Sequence, residues 1–197
     1  MEYLIGRGLS FLVMPDPRPV GAEETARSHG LSPDELVRTE VMVSVAGPAL
    51  MIVPATEYLD LELAQRALGD PGARPATHAE LRALAPGCDI GAVPPLSLWL
   101  LAPMYVDPQV VERDQLVFPA GRTNILVCVQ REELFRDDPY VVVPLTRASS
   151  VPLAPLPPSR RAILEAEDLP PVHMTQSQRG DDATAPGVVA RGLPRVS

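Results

Sequence analysis

The sequence predicts an α+β fold, and three observations carry that expectation. Short β-type runs recur, some as hairpins; the segments between them carry helix caps rather than long amphipathic repeats; and no regular alternation of one strand with one helix appears. The 197 residues are 46% apolar and 4% aromatic, enough chain for one compact domain with an appendage. Of the 24 prolines, eight lie in residues 148–197. Residues 1–147 are therefore expected to fold, and 148–197 to form a Pro-rich, mostly disordered tail.

Residues 3–14 alternate loosely toward Phe11-Leu12-Val13-Met14, a first strand stopped by prolines at 15, 17 and 19. A helix over 22–29 ends at Gly30. Ser32, Pro33 and Glu35 form a capping box that opens a short helix, with Leu31 stapling to Leu36. Val41–Val45 and Ala49–Val53 are strands joined at Ala46-Gly47-Pro48, where glycine permits the reversal. Asp60 caps a helix through Leu68 that Gly69 terminates, and Thr77 and Glu80 cap another that ends near Ala85.

Gly91-Ala92-Val93-Pro94-Pro95 reads as a loop. Beyond it, Met104–Val106, Gln115–Phe118 and Ile125–Val129 are strands, with a helical turn or two in 107–114 and a short helix over 131–136. Tyr140–Val143 is an edge strand, because Pro139 and Pro144 bracket it.

The 25 acids and 17 bases give a net charge of −8, and every base is arginine. No chemistry that needs a lysine amine can operate here. Residues 1–147 hold 20 acids and 12 arginines, so the folded part is the acidic part. A surface of that sign repels a long polyanion, which argues against duplex DNA as a partner and confines any nucleic-acid contact to a local one. The apolar run from Gly91 to Val106 is broken by three prolines and is shorter than the roughly 20 residues of a spanning helix. With no signal-peptide pattern at the start, the expectation is a cytoplasmic protein that meets no membrane.

Cys88 and Cys128 show neither CxxC nor Cys/His ligand spacing, so neither a metal site nor a disulfide framework is indicated. Both read best as small buried hydrophobes, with a Cys88 nucleophile as the sharper alternative. His29, His78 and His173 read as surface residues without an identifiable acidic partner. The usual nucleotide, zinc and serine-hydrolase motifs are missing.

What remains is an ordered set: Ala22-Glu23-Glu24-Thr25-Ala26, Leu31-Ser32-Pro33-Asp34-Glu35-Leu36-Val37 before Arg38-Thr39, Asp60 at a helix start, Asp89-Ile90 before Gly91-Ala92-Val93-Pro94-Pro95, Tyr105-Val106-Asp107, and Phe118-Pro119-Ala120-Gly121-Arg122. In this order and spacing they resemble the YbaK/EbsC family, the domain related to the editing insertion of bacterial prolyl-tRNA synthetases, over about residues 10–140. The resemblance implies a mixed, barrel-like sheet flanked by short helices. It also implies a cytoplasmic trans-editing enzyme that hydrolyses the ester between a wrong amino acid and tRNA, without metal or organic cofactor.

That chemistry needs donors for a carbonyl oxygen becoming an oxyanion, a pocket for a small side chain, and an oriented water or substrate hydroxyl. Carried onto this sequence, the resemblance makes Arg38 and Gly91 the catalytic candidates. Thr39, Ala92, Val93, Pro94 and Pro95, with Gly121, Arg122 and Thr123 of a second loop, are the substrate-binding candidates. Gly91 would allow close backbone approach while the prolines stiffen the bend.

The chain departs from the family at two points. Competent relatives carry lysine where Arg38 stands; arginine keeps the charge and can clamp phosphate with two donors, but it cannot release a proton near neutral pH. Met14-Pro15-Asp16 stands where relatives often have a histidine-proline pair. The rival expectation is a catalytically impaired module that binds an aminoacyl or nucleotide ligand, its tail recruiting a protein partner through polyproline II segments.

Overall fold

A computed structural model describes residues 2–16 and 21–149. The expected tail helix and the tail's proposed partner contacts lie outside the described residues.

The central feature is a hairpin of β2 (Val37–Ser44) and β3 (Gly47–Pro54), whose antiparallel register runs from Val37 opposite Pro54 to Ser44 opposite Gly47. The reversal falls on Val45-Ala46, one residue earlier than the sequence suggests, with Gly47 at φ 116° opening the return strand. Residues 49–54 of β3 are buried throughout. That matches a strand covered on both faces, which reads as a continuous apolar run rather than an alternating one.

Around the hairpin, β4 (Arg74–Pro75) pairs with β2, and β5 (Met104–Val106) runs parallel to β3. The short β8 (Val141–Val142) closes the far edge, giving a five-stranded sheet in the order β4-β2-β3-β5-β8. A second, antiparallel sheet has the order β1-β7-β6, built from β1 (Phe11–Pro15), β6 (Gln115–Pro119) and β7 (Ile125–Gln130).

The α+β class stands, but the sheet is not a closed barrel. The strands form two sheets, joined among the described residues by one isolated bridge from Leu36 to Val117. The two-residue strands at both edges of the larger sheet, one of them flanked by Pro139 and Pro144, offer too few backbone groups to continue it.

The largest apolar cluster lies between the sheets and draws Val37, Val41, Leu50, Ile52, Met104 and Val106 from one and Leu116, Phe118, Val127 and Val129 from the other. Helix α3 (Leu61–Leu68) covers the outer face of the larger sheet, packing Ala64 with Met42, Met51 and Val53. Helix α2 (Ala22–His29) covers the smaller sheet, packing Ala26 with Leu36, Val117 and Leu126. At roughly 1.5–3 kcal/mol for each large side chain fully buried, these three layers of contact supply the main stabilisation.

The expected caps are present. Asp60 accepts from the amides of Glu62 and Leu63, Gly69 ends α3 in the left-handed conformation, and Thr77 with Glu80 opens α4 (His78–Leu84). Ser32 donates its amide to Glu35 at 2.9 Å, but the expected helix is a single 3₁₀ turn over Pro33–Glu35, because β2 begins at once. The helical turns α6 (Pro108–Val111) and α7 (Arg131–Leu134) also stand where expected.

Two elements differ from expectation. Residues 2–6 form a helix, α1 (Glu2–Gly6), rather than the start of a strand, and Ser97–Leu100 form α5. A buried carboxylate holds both: Asp138 is 2% exposed and accepts from Arg7, from the Ser97 hydroxyl and from the Leu98 amide. Among the described residues no helix is long and apolar enough to cross a membrane.

Asp107 does similar work at the other end. Its fully buried carboxylate accepts from the amides of Gln109, Leu145 and Thr146 and from the Ser149 hydroxyl, pinning the segment after β8 against α6.

Candidate functional site

Two loops face each other at one end of the smaller sheet, and a carboxylate holds them together. Asp89 accepts from the Thr123 amide at 3.1 Å and from Arg122 Nη1 at 3.1 Å. Its own amide donates to the Gly121 carbonyl at 2.9 Å, and the Gly121 amide donates to the Ala92 carbonyl at 2.8 Å. These donors, the Thr123 amide foremost, hold the Asp89 carboxyl below its usual range. The clamp is therefore charged throughout the neutral range and is lost only as pH falls through that lowered value.

Each loop contributes to two cavities. The smaller, about 220 Å³, is lined by Arg38 and Gly91 together with Thr123, Asp16, Thr25, and the apolar Leu36, Val117 and Leu126 among others. The larger, about 640 Å³, is lined by Pro94, Gly121 and Arg122 with Tyr3, Cys88 and Trp99 among others. The candidates thus divide. Arg38, Gly91 and Thr123 converge on one hollow, whereas Pro94, Gly121 and Arg122 belong to the other.

Thr39, Ala92, Val93 and Pro95 line neither cavity and are buried. Neighbouring side chains on a strand leave opposite faces, so Thr39 does not stand beside Arg38. Thr39 lies on the face of Val37 and Val41, buried and with no partner for its hydroxyl.

Gly91 has φ 82°, a left-handed conformation that a side-chain-bearing residue adopts only with strain. A Cβ built there would meet nothing within 4 Å. The amides of Gly91 and Val93 donate to no described group, whereas that of Ala92 is spent on the Asp89 carbonyl at 3.0 Å. Of the three residues, only Gly91 both lines a cavity and keeps its amide unspent among the described residues.

Arg38 stands over the ring of the exposed Tyr58 at 5.2 Å, a cation–π contact. Its Nε is buried without a hydrogen-bond partner and is ion-paired with the Glu40 carboxylate at 3.6 Å. The two Nη groups make no hydrogen bond among the described residues, which suits the guanidinium to a phosphate.

Sequence reasoning missed Asp16. The residue is 5% exposed, lines the smaller cavity and accepts from the Thr25 hydroxyl at 3.3 Å, with His29 Nε2 at 4.0 Å. His29 accordingly has the acidic neighbour that its position in the sequence did not reveal. The one available signal was the placement of Asp16 after the first strand, where relatives often carry a histidine-proline pair.

Cys88 does not behave as a nucleophile. Burial, followed by the neighbouring Asp89 carboxylate, raises its thiol above the usual cysteine value, which keeps it protonated at neutral pH. Iodoacetamide at pH 7 is expected to label it more slowly than free cysteine; faster labelling would indicate an activated thiol. Among the described residues no group of three His, Cys, Asp or Glu side chains gathers to hold a metal.

A hollow walled by a glycine bend and an arginine lies at the end of this two-sheet α+β fold. Residues 17–136 match the sequence profile of the aminoacyl-tRNA editing domain, and the chain belongs to that family. A candidate trans-editing enzyme for prolyl-tRNA synthetase is 30% identical to it, with a TM-score of 0.65, covering 73% of this chain and 91% of that one. The hypothetical protein APE2540 is 26% identical, with a TM-score of 0.64 and coverage of 74% and 97%. A scaffold used for computational epitope grafting shares the fold at 24% identity, with a TM-score of 0.65. A search of curated proteins finds no match to the chain.

Proposed function

We propose that the protein is a cytoplasmic trans-editing deacylase that hydrolyses the ester of a mischarged tRNA carrying a small amino acid. The observation that carries this reading is the convergence of Arg38 and Gly91 on one cavity of about 220 Å³. That volume lies below the roughly 300–1,000 Å³ of pockets that hold drug-sized ligands, and Leu36, Val117 and Leu126 line it with apolar surface. A small acyl group fits such a space, and the nucleoside stays outside.

In this mechanism the Gly91 amide receives the ester carbonyl oxygen. Arg38 clamps a phosphate of the acceptor end, and the negative domain surface keeps the rest of the tRNA at a distance. Water, oriented by a free hydroxyl of the terminal ribose, adds to the carbonyl carbon. The intermediate then expels the ribose oxygen, which takes up the proton, and releases the free amino acid. Arginine supplies anchoring but no acid–base step.

The test is deacylation of a panel of tRNAs mischarged with small amino acids. At least one should be hydrolysed faster than its spontaneous rate. Arg38→Ala should lower kcat/KM by about 10- to 100-fold, the value of one charge-assisted phosphate contact, and Arg38→Lys should retain most activity. Spontaneous rates across the whole panel would overturn the proposal.

A further inference from the structure

Asp16 is a buried carboxyl group with few donors among the described residues. Its carboxylate offers about four acceptor positions, yet among the described residues only the Thr25 hydroxyl, at 3.3 Å, lies within hydrogen-bond distance. The His29 imidazole is farther away at 4.0 Å, and the Asp16 amide is engaged separately with the Asn124 carbonyl at 2.9 Å. A charge taken out of water without compensating hydrogen bonds is costly, so a site that keeps one normally supplies its partner from elsewhere.

The cavity identifies that partner. Asp16 and Arg38 are the only charged residues among its described lining, and they form no ion pair with each other. Gly91, with its unspent amide, lines the same space. In every α-aminoacyl ester the carbonyl carbon and the α-ammonium nitrogen are both bonded to the α-carbon. A pocket that takes the carbonyl at Gly91 therefore brings a cation within the same small volume as Asp16.

We infer that Asp16 is a specificity-determining residue that recognises the α-ammonium group of the substrate, so that the enzyme takes esters of free α-amino acids and rejects N-blocked ones. The inference rests on the deacylase reading and narrows its substrate class. An ammonium group beside a buried carboxylate is held in its charged form, and an acyl amide in its place brings neither charge nor enough donors. A site that depends on a buried polar contact discriminates strongly against a substrate that lacks it.

The experiment compares one active mischarged tRNA with the same tRNA N-acetylated on its amino acid. The wild-type protein should favour the free amine by about 100-fold in kcat/KM, and Asp16→Asn should reduce that preference below about 5-fold. His29→Asn, which removes the neighbouring imidazole and keeps the carboxylate, should preserve it. The wild-type comparison stands even where Asp16→Asn folds poorly. Equal wild-type rates on the two esters, or a preference unchanged in a folded Asp16→Asn protein, overturn the inference while leaving the deacylase reading in place. Inactivity of the wild type on the whole mischarged panel overturns both.

Discussion

Gly91→Val is expected to reduce deacylation of the preferred mischarged tRNA by about 100- to 1,000-fold, the range found when one oxyanion donor is lost. Gly91 occupies φ 82°, and a β-branched residue leaves that region at a gain of roughly 1–2 kcal/mol. Relaxation turns the amide away from the carbonyl it would serve. No heavy atom stands within 4 Å of a Cβ at this position, so the fold itself should survive, with the melting temperature lowered by only a few degrees. Single-turnover deacylation beside a thermal melt separates the two effects. A folded valine variant with wild-type rates would show that the bend is only a connector. Gly91→Ala should lie between, since it brings the strain with less bulk.

The largest effect on stability is expected at Asp107. Asp107→Ala removes the acceptor for the buried amides of Leu145 and Thr146 and for the Ser149 hydroxyl at once. The Leu145 amide is left without an acceptor, at about 1–3 kcal/mol, whereas the Thr146 amide and the Ser149 hydroxyl keep partners within their own turn, so the loss should be roughly 2–12 °C in Tm for a chain of this size. Asp107→Asn keeps one acceptor oxygen and should lose less. Because Asp107 lines neither cavity, the alanine variant should retain its deacylation rate at a temperature where it is still folded. A melting temperature unchanged by the alanine substitution would contradict the structural role.

Local grammar made much of this fold readable. Asp60 with Gly69, and Thr77 with Glu80, bracket helices whose ends are set by hydrogen bonds within a few residues. Such signals need no knowledge of the rest of the chain. The elements that escaped depend on distant partners. Helix α1 is fixed by Leu4 in the inter-sheet core and by Arg7 reaching Asp138, 131 residues away, and α5 by Ser97 reaching the same carboxylate. Arg74–Pro75 is a strand only because β2 lies beside it.

The site was legible to the same degree. Arg38, Gly91 and Thr123 were found through the ordered resemblance, and the cavity brings them together. The assignment of Arg122, Gly121 and Pro94 to a second hollow follows from a clamp between loops more than thirty residues apart, which no local pattern reports. Asp16 was overlooked because nothing in its neighbours announces burial, and Tyr58 because its contact with Arg38 crosses from a loop to a strand.

The Asp89 clamp makes the two loops one mechanical body shared by both hollows. In the proposed reaction, a change that moves the Gly91 bend to enlarge the room for an acyl group would also shift a wall of the larger hollow, which Pro94, Gly121 and Arg122 line. Variants of the proposed enzyme that admit a bulkier amino acid by moving this bend should then carry compensating replacements around Cys88 and Gly121 as well as beside the acyl group.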